Sequence, residues 1–172
     1  MSALVPYEPD RLLEVLERHQ VRYVVIGGFA AVLRGSPYDT TDVDITPERS
    51  ELNLRRLSAA LDELEAAVRV DAESTADLPA LELDLAALDR FHTLALTTKH
   101  GNLDLCLVPD GTQGYPDLRR GATRELITET LEIPLASLAD VIRSKEAAGR
   151  EKDLLHLPTL RRLLERARQR PP

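Results

Sequence analysis

The chain has 172 residues with a formal net charge of −7, and 43% of its residues are hydrophobic but only 3% aromatic. This length favours a single compact domain, residues 1–172, whose core must be filled by aliphatic side chains. The acidic balance argues against a general nucleic-acid coat, and the single cysteine, Cys106, excludes an intramolecular disulfide and is interpreted as inert packing in a strand.

The amino-terminal part opens with a predicted helix. Leu12, Leu13 and Leu16 make one apolar stripe between residues 9 and 19, and the proline at position 9 suits a helix start. No basic segment followed by an apolar run precedes this helix, as a signal peptide would require, and the longest apolar stretch, residues 23–33, is too short to cross a bilayer. We therefore expect a cytoplasmic protein without a membrane partner.

A glycine pair then follows an apolar strand. Residues 23–26 form an unbroken apolar segment that ends at Gly27 and Gly28, and the apolar residues 29–33 continue as a helix. Glycines at such a turn let backbone N–H groups approach a phosphate, and a helix N-terminus favours negative charge. Gly27 and Gly28 are therefore candidates to hold a triphosphate. A close contact between helix and strand, without any ligand, is the alternative.

An aspartate pair comes next. Asp42 and Asp44 are two residues apart, so on a strand they point the same way, whereas Val43 and Ile45 point to the opposite, apolar face. Two neighbouring like charges are costly unless a cation bridges them, and hard divalent ions such as Mg²⁺ prefer carboxylate oxygens. The pair therefore predicts a metal site. A solvated loop is the alternative in a chain with 29 acidic residues.

The middle of the chain predicts a long helix over residues 47–68. Leucines recur there at three- and four-residue spacing, at positions 54, 57, 61 and 64. The acidic residues 71–90 are harder to assign, and residues 78–88 are interpreted as a short helix or a lid-like loop.

Residues 92–98 and 101–108 predict a β-hairpin, because each segment alternates in polarity and the residues between them favour a turn. Leu103, Leu105 and Leu107 form the apolar face of the second strand. Asp104 lies on the opposite face, where it could converge with the aspartate pair. An exposed position on an antiparallel strand is the alternative for this residue.

Beyond the hairpin, residues 108–116 predict a surface loop and residues 132–135 a short edge strand. Ser137 and Asp140 resemble a capping box, which predicts a helix over residues 138–148.

Gly149 favours the end of that helix, and residues 152–168 predict a last one. This last helix is expected to be broken or bent at Pro158, which cannot donate the required backbone hydrogen bond. Eight arginines stand at positions 119, 120, 124, 161, 162, 166, 168 and 170. They form either a basic patch or solvated helix faces that pair with glutamates.

The glycine and aspartate motifs resemble the hallmark of the nucleotidyltransferase superfamily, which includes DNA polymerase beta, aminoglycoside nucleotidyltransferases and bacterial toxin–antitoxin components. That hallmark is a hydrophobic residue, Gly-Gly or Gly-Ser, a spacer, and Asp-hydrophobic-Asp/Glu-hydrophobic. This chain matches every position. Ile26-Gly27-Gly28 is followed by a spacer of thirteen residues and then by Asp42-Val43-Asp44-Ile45. The resemblance implies an α/β (α+β) nucleotidyltransferase fold, with a small mixed sheet flanked by helices over residues 1–135 and a helical part over residues 136–168.

By the same resemblance, the protein would move a nucleoside monophosphate from a nucleoside triphosphate (NTP) to an acceptor hydroxyl, with Mg²⁺ or Mn²⁺ as cofactor. Asp42 and Asp44 would hold two metal ions around the α-phosphorus. Asp104 would ligate the catalytic ion and help to activate the acceptor hydroxyl as a general base. Gly27 and Gly28 would bind the triphosphate.

The carboxyl-terminal part resembles small toxin–antitoxin nucleotidyltransferases of the AbiEii-like and MenT-like type. The resemblance lies in residues 133–140, in Lys145 and in the run Gly149-Arg150-Glu151-Lys152-Asp153. It implies that Lys145 lies near the nucleotide phosphates, although a helix dipole alone also favours a lysine in the last turn. Asp153 could pair with Lys145 and is not interpreted as catalytic.

The chain departs from the family just before the aspartate pair. Many members carry Arg-x-Thr there, whereas this chain has Tyr38-Asp39-Thr40. Thr40 is retained and is assigned to nucleotide binding. The arginine is missing, and either Arg34 or Arg120 could supply its phosphate contact instead.

The acceptor is implied by the resemblance alone. We favour a toxin that places nucleotides on tRNA and is restrained by a cognate antitoxin protein. Two other functions stay open. The first is nucleotidyl transfer to a small hydroxylated molecule of the aminoglycoside type, and the second is a non-catalytic antitoxin or nucleotide sensor with the same fold.

Overall fold

A mixed β-sheet carries the three aspartates on two of its central strands. The computed structural model describes residues 6–69 and 91–169, so the assignment of residues 78–88 falls outside the described residues. Within these ranges the strands are β1 Tyr23–Ile26, β2 Asp42–Pro47, β3 Ala67–Val68, β4 Thr93–Thr98, β5 Gly101–Cys106, β6 Thr123–Leu126 and β7 Glu132–Leu135. Their order across the sheet is β3-β4-β5-β2-β1-β7-β6, which places β2 at the centre.

Helices accompany this sheet along the whole chain. In the described ranges they are α1 Pro9–Arg18, α2 Gly27–Leu33, α3 Glu51–Glu63, α4 Tyr115–Gly121, α5 Leu138–Ala148 and α6 Glu151–Gln169. Helix α1 contacts α3, whereas α2 contacts α5, which in turn packs on α6. This architecture confirms the predicted fold class, a small mixed sheet flanked by helices with a helical carboxyl-terminal part. No helix in these ranges is both long and apolar enough to cross a membrane.

The core is aliphatic, as the composition predicts. The predicted stripe of α1 is fully buried, and so are Val43 and Ile45 of β2 and Leu103 and Leu105 of β5. Because side chains alternate along a strand, burial of these residues on one face leaves the three aspartates on the other. Burial of the apolar face therefore determines where the carboxylates point.

The strand register brings the glycine turn and the aspartates together. β1 pairs antiparallel with β2, so that Ile26 lies opposite Asp44. β2 pairs parallel with β5, so that Asp44 lies opposite Asp104. Neighbouring strands are about 4.8 Å apart. The predicted hairpin is confirmed as β4 and β5, which pair antiparallel on the far side of β2.

The predicted helix over residues 47–68 is wrong at both ends. Pro47 still belongs to β2, and α3 begins only after Ser50, whose side chain accepts a hydrogen bond from the Asn53 amide. After α3 the chain reverses at Glu65, which has a φ of 55°, and continues as β3 alongside β4. The leucine spacing predicts the middle of the helix correctly, because it indicates which helix face is buried. It carries no information on caps or turns, so it does not predict where the helix begins and ends.

Residues 132–135 form the predicted strand, β7, but this strand does not lie at an edge of the sheet. β7 pairs parallel with β1 on one side and antiparallel with β6 on the other. Sequence analysis missed β6, whose four residues are all at least partly exposed and show no apolar alternation. Pro134 is tolerated because the β1 pairing involves only Leu135, where Val25 lies opposite. The loop predicted over residues 108–116 ends earlier, since α4 begins at its last two residues.

The two carboxyl-terminal helices begin and end close to the predicted places. Ser137 caps α5 by accepting a hydrogen bond from the Asp140 amide, and Gly149 ends it with a left-handed φ of 61°. Of the two outcomes predicted at Pro158, the break is wrong, because α6 runs through this residue as one helix, whereas the bend stays a prediction. Pro158 lies on the exposed side of α6, where water can satisfy the carbonyl that its missing N–H leaves free.

A buried asparagine joins α3 to the start of β1 and the end of β2. Asn53 is 1% exposed. Its Oδ1 accepts from the Arg22 amide at 2.6 Å, and its Nδ2 donates to the carbonyls of Arg22 and Glu48, both at 2.8 Å. This one side chain therefore satisfies backbone groups of the two residues that flank β1 and β2 at the same end of the strand pair.

We expect Asn53→Ala to lower the free energy of unfolding by about 2–4 kcal/mol, because it removes three hydrogen bonds of a buried side chain and leaves part-buried backbone groups without these partners. Leu52→Ala, at the neighbouring and exposed position of the same helix, should change it by less than about 0.5 kcal/mol. Urea unfolding followed by circular dichroism measures both. Equal effects of the two variants would contradict this role of Asn53.

Candidate active site

The glycine turn lies directly against one of the aspartates. Gly27 has a φ of 72°, and a Cβ at this position would clash with the carboxylate of Asp44. A Cβ on Gly28 would lie 2.9 Å from Oγ1 of Thr40. The Gly28 amide donates a hydrogen bond to Asp44. Glycine is therefore needed here both for its backbone conformation and for space beside the carboxylate.

The three predicted aspartates line one cleft. Each carboxylate has a donor of its own. The hydroxyl of Thr40 donates to Asp42 at 2.8 Å, the thiol of Cys106 donates to Asp44 at 3.8 Å, and the guanidinium of Arg69 donates to Asp104 at 2.8 Å. Sequence reasoning missed Arg69, because its position after β3 becomes meaningful only when β3 is paired in the sheet.

Burial and neighbouring charges raise the pKa of Asp44 and of Asp104. Burial, together with the charges of Asp42 and Asp104, raises the pKa of Asp44 from 3.8 to about 7. Burial also raises the pKa of Asp104, although Arg69 acts in the opposite direction. Burial and the nearby carboxylates raise the pKa of the Cys106 thiol as well, so this group stays protonated and is not a nucleophile.

The donor set suits a hard divalent cation. Carboxylate oxygens from two adjacent strands face the same space, and the raised pKa of Asp44 reflects its burial beside two other carboxylates. In the described parts of the chain, however, no three His, Cys, Asp or Glu side chains are arranged to hold a metal ion as they stand. The contact between Asp104 and Arg69 is one reason, because the guanidinium occupies a carboxylate oxygen.

Basic side chains from α5, from α6 and from the turn between them line the same cleft. These are Lys145, Arg150 and Lys152. The fully buried Asp153 accepts from Lys145 at 2.8 Å and from Arg150 at 2.6 Å. Although burial acts against it, these two cations hold the pKa of Asp153 below its usual value. The anticipated pairing of Asp153 with Lys145 is thus present.

Arg150 was not predicted as a site residue. Its pKa is raised chiefly by the hydrogen bond to Asp153, and Asp44 across the cleft contributes as well. A signal was available in the sequence, since Arg150 stands three residues before Asp153, a spacing that brings two side chains together at a helix start.

The two arginines considered as replacements for the missing family arginine do not line the cleft. Arg34 donates to the carbonyls of Leu135 and Ala136, both at 3.1 Å, and also pairs with Glu125. Arg120 donates to the Pro116 carbonyl of its own helix. Arg34 therefore secures the carboxyl-terminal end of β7, which is a structural role.

Comparisons with known proteins agree on the fold. The chain matches no protein-family model and no curated protein. It is similar to the structure of a candidate nucleotidyltransferase, TM1012 from Thermotoga maritima, with a TM-score of 0.54 and 18% identity over 92% of this chain and 91% of the other. It is also similar to the lincomycin-bound lincosamide antibiotic adenylyltransferase LnuA, with a TM-score of 0.58 and 13% identity over 90% of this chain and 95% of the other. The architecture is therefore that of the nucleotidyltransferase fold.

We expect Gly27→Ala to destabilise the protein by more than about 2 kcal/mol, since it adds a clash with Asp44 to the cost of a positive φ. Gly35→Ala is the matched control. Gly35 also has a positive φ, 99°, but a Cβ there would meet only a methyl group of Leu163 at an ordinary 3.7 Å. Its cost should stay near about 1 kcal/mol. Thermal unfolding compares the two, and a Gly35 variant that is as unstable as the Gly27 variant would contradict the close approach to Asp44.

The raised pKa of Asp44 predicts a pH dependence of stability in metal-free protein. Folded protein retains the Asp44 proton up to about pH 7, whereas the unfolded chain releases it near its ordinary value. The folded state thus binds more protons between these pH values, so this group's contribution to stability is lost as the pH rises through them.

Relative to Asp44→Asn, the wild type should therefore become less stable as the pH rises from about 4 to about 7, by up to about 1.4 kcal/mol per pH unit. Urea unfolding in the presence of a chelator measures the difference at each pH. Asp62→Asn, at an exposed position of α3, is the control and should show no such trend. A constant difference between the wild type and Asp44→Asn would exclude the proposed coupling.

Proposed function

We propose that this protein is a metal-dependent nucleotidyltransferase of the EC 2.7.7 type, which moves a nucleoside monophosphate from an NTP to an acceptor hydroxyl. The observation that carries the proposal is one cleft with two chemically opposite sets of side chains. Carboxylates from β2 and β5 suit a divalent cation, and cations from α5 and α6 suit phosphate groups. An NTP bound with a divalent cation needs both.

Asp42, Asp44 and Asp104 are the residues that would hold Mg²⁺ or Mn²⁺. When bound, such an ion would supply positive charge at the α-phosphate and at the attacking and leaving oxygens. Asp104 is also proposed as the general base, because its raised pKa favours taking a proton from the acceptor hydroxyl. The acceptor oxygen then bonds to the α-phosphorus, the bond between the α-phosphorus and the bridging oxygen breaks, and pyrophosphate leaves.

Phosphate binding is assigned to Gly27, Gly28, Thr40 and Lys145. Lys145 is only 11% exposed, and Asp153 holds its ammonium group in place, so that little side-chain freedom is lost when a phosphate binds. Thr40 acts chiefly by orienting Asp42 through its hydroxyl. Arg150, which shares Asp153 with Lys145, adds a second cation on this side of the cleft.

For the acceptor, we propose tRNA, and for the biological role a cytoplasmic toxin of a toxin–antitoxin pair of the AbiEii-like or MenT-like type. The support is the likeness of residues 133–140, Lys145 and residues 149–153 to that group. The predicted basic patch adds little, because Arg124 pairs with Glu17 and Glu132, and Arg161 pairs with Glu146. Arg170 lies outside the described residues.

A second candidate acceptor is a small hydroxylated molecule. Its support is the fold shared with the lincomycin-bound adenylyltransferase LnuA over nearly the whole of both chains. The pairing of surface arginines with glutamates also suits a small acceptor better than a long polyanion.

We expect Asp42→Asn, Asp44→Asn and Asp104→Asn each to remain folded and to lower nucleotidyl transfer roughly 1000-fold, because loss of a carboxylate removes several kcal/mol of transition-state stabilisation. Asp39→Asn is the matched control, since Asp39 lines the same cleft outside strands β2 and β5. It should retain activity within about threefold. Transfer of a labelled nucleotide is the measurement, and unchanged turnover in any of the three variants would reject that residue's role.

Purified protein incubated with each α-labelled NTP and Mg²⁺ separates the acceptors. Label on bulk tRNA, together with growth arrest on expression that Asp42→Asn abolishes, would support the toxin. Label on a lincosamide or aminoglycoside, but not on tRNA, would support the small-molecule enzyme. No turnover with any acceptor, combined with tight binding of a partner protein, would favour the non-catalytic alternative.

A further inference from the structure

Two stacked rings line the cleft and have no part in the chemistry assigned above. Tyr38 and His156 have ring centroids 3.8 Å apart and planes inclined by 11°. Both residues line the cleft, and both are half-buried, so that part of each side chain stays accessible. Tyr38 stands where many family members carry an arginine, so this pair replaces a charged group with an aromatic surface.

The hydroxyl of Tyr38 is already used within the protein. It lies 3.1 Å from the Thr159 hydroxyl on α6, within hydrogen-bond distance. This contact fixes the ring against the helix. Because His156 covers one face of the Tyr38 ring, the opposite face is the part that Tyr38 can offer to a ligand. The second ring, His156, comes from α6 itself. Burial and the charge of Lys145 lower the pKa of His156, which favours a neutral imidazole.

The ring pair connects the two chemically opposite sides of the cleft. Tyr38 stands two residues before Thr40, whose hydroxyl binds Asp42. His156 stands three residues after Asp153, and the charges of Lys145 and Lys152 both act on it. A nucleotide with its phosphates between these groups would therefore have its base within reach of the rings.

We propose that Tyr38 and His156 form the platform on which the nucleobase of the NTP donor stacks. Flat heteroaromatic bases bind well to such surfaces, because stacking requires a planar π-face and no particular hydrogen-bond pattern. The platform specifies the donor substrate of the proposed transferase and thus rests on the proposed function. It assigns to the cleft a base subsite that is separate from the phosphate and metal groups.

Two ligands distinguish a base platform from a general structural role. Mg²⁺-NTP carries a base, whereas Mg²⁺ with inorganic triphosphate carries the phosphates alone. Isothermal titration calorimetry measures the dissociation constant of both ligands for the wild type, Tyr38→Ala and His156→Ala. His156→Phe and Tyr38→Phe are matched controls, since both keep an aromatic ring, and Tyr38→Phe removes only the hydroxyl. Thermal unfolding confirms that each variant is folded.

The alanine variants should bind each NTP about 5- to 150-fold more weakly than the wild type, the loss expected for one stacked base, and should bind inorganic triphosphate unchanged. The phenylalanine variants should stay within about threefold of the wild type for both ligands, since the aromatic surface is kept. Equal weakening of NTP and triphosphate would overturn the platform, because it would indicate a structural role. Unchanged NTP affinity with a raised KM for the acceptor would overturn the donor assignment as well.

Failure of the proposed function would look different. In that case the wild type itself would bind neither NTP nor triphosphate, and the platform would fall with it. If instead both alanine variants bound NTP as tightly as the wild type does, the proposed transferase would stand and only the platform would be rejected.

Discussion

Burial of the apolar faces of two adjacent strands, which places three carboxylates in one cleft, is the constraint that organises this protein. Pairing of Asp44 with Asp104 in the parallel register of β2 and β5 follows from burial of the apolar faces of both strands. The aspartates cannot be moved apart without exposing that core. The result is an Asp44 whose pKa lies near 7 and a cleft in which added positive charge is favourable.

The rest of the site supplies positive charge and hydrogen bonds to this cluster. Thr40, Arg69 and the Gly28 amide each serve one carboxylate. On the other side, the turn at Gly149 joins α5 to α6 and brings Lys145 and Arg150 onto one buried aspartate. A buried ion pair of this kind positions its members more than it stabilises the fold. Side chains of opposite charge therefore line the same cleft.

Because acidic and basic side chains are separated within the cleft, the net charge of −7 says little about which ligand binds there. Two of the arginines considered for nucleic-acid binding, Arg124 and Arg161, are paired with glutamates on the surface. The cations available to a ligand in the cleft are those that line it, Lys145, Arg150 and Lys152, and their local field is not set by the net charge of the whole chain. The stacked rings of Tyr38 and His156 make part of the cleft wall aromatic.

The amino-acid sequence by itself determined the features that depend on neighbours along the chain. Alternation in β2 and β5 predicted the faces of Asp42, Asp44 and Asp104, and the pattern at Ser137 and Gly149 predicted both ends of α5, because these signals act within a few residues. Periodicity did not predict the ends of α3, since caps and reversals depend on single residues such as Ser50 and Glu65.

Only the tertiary structure decided which distant residues meet. Arg69 reaches Asp104 only because β3 joins the sheet beside β4, and the short, polar β6 exists only because β7 offers it a partner. The stacking of Tyr38 on His156 joins residues more than a hundred positions apart. Such contacts form because the packed core brings separate segments together, and no local pattern of hydrophobicity or charge encodes them.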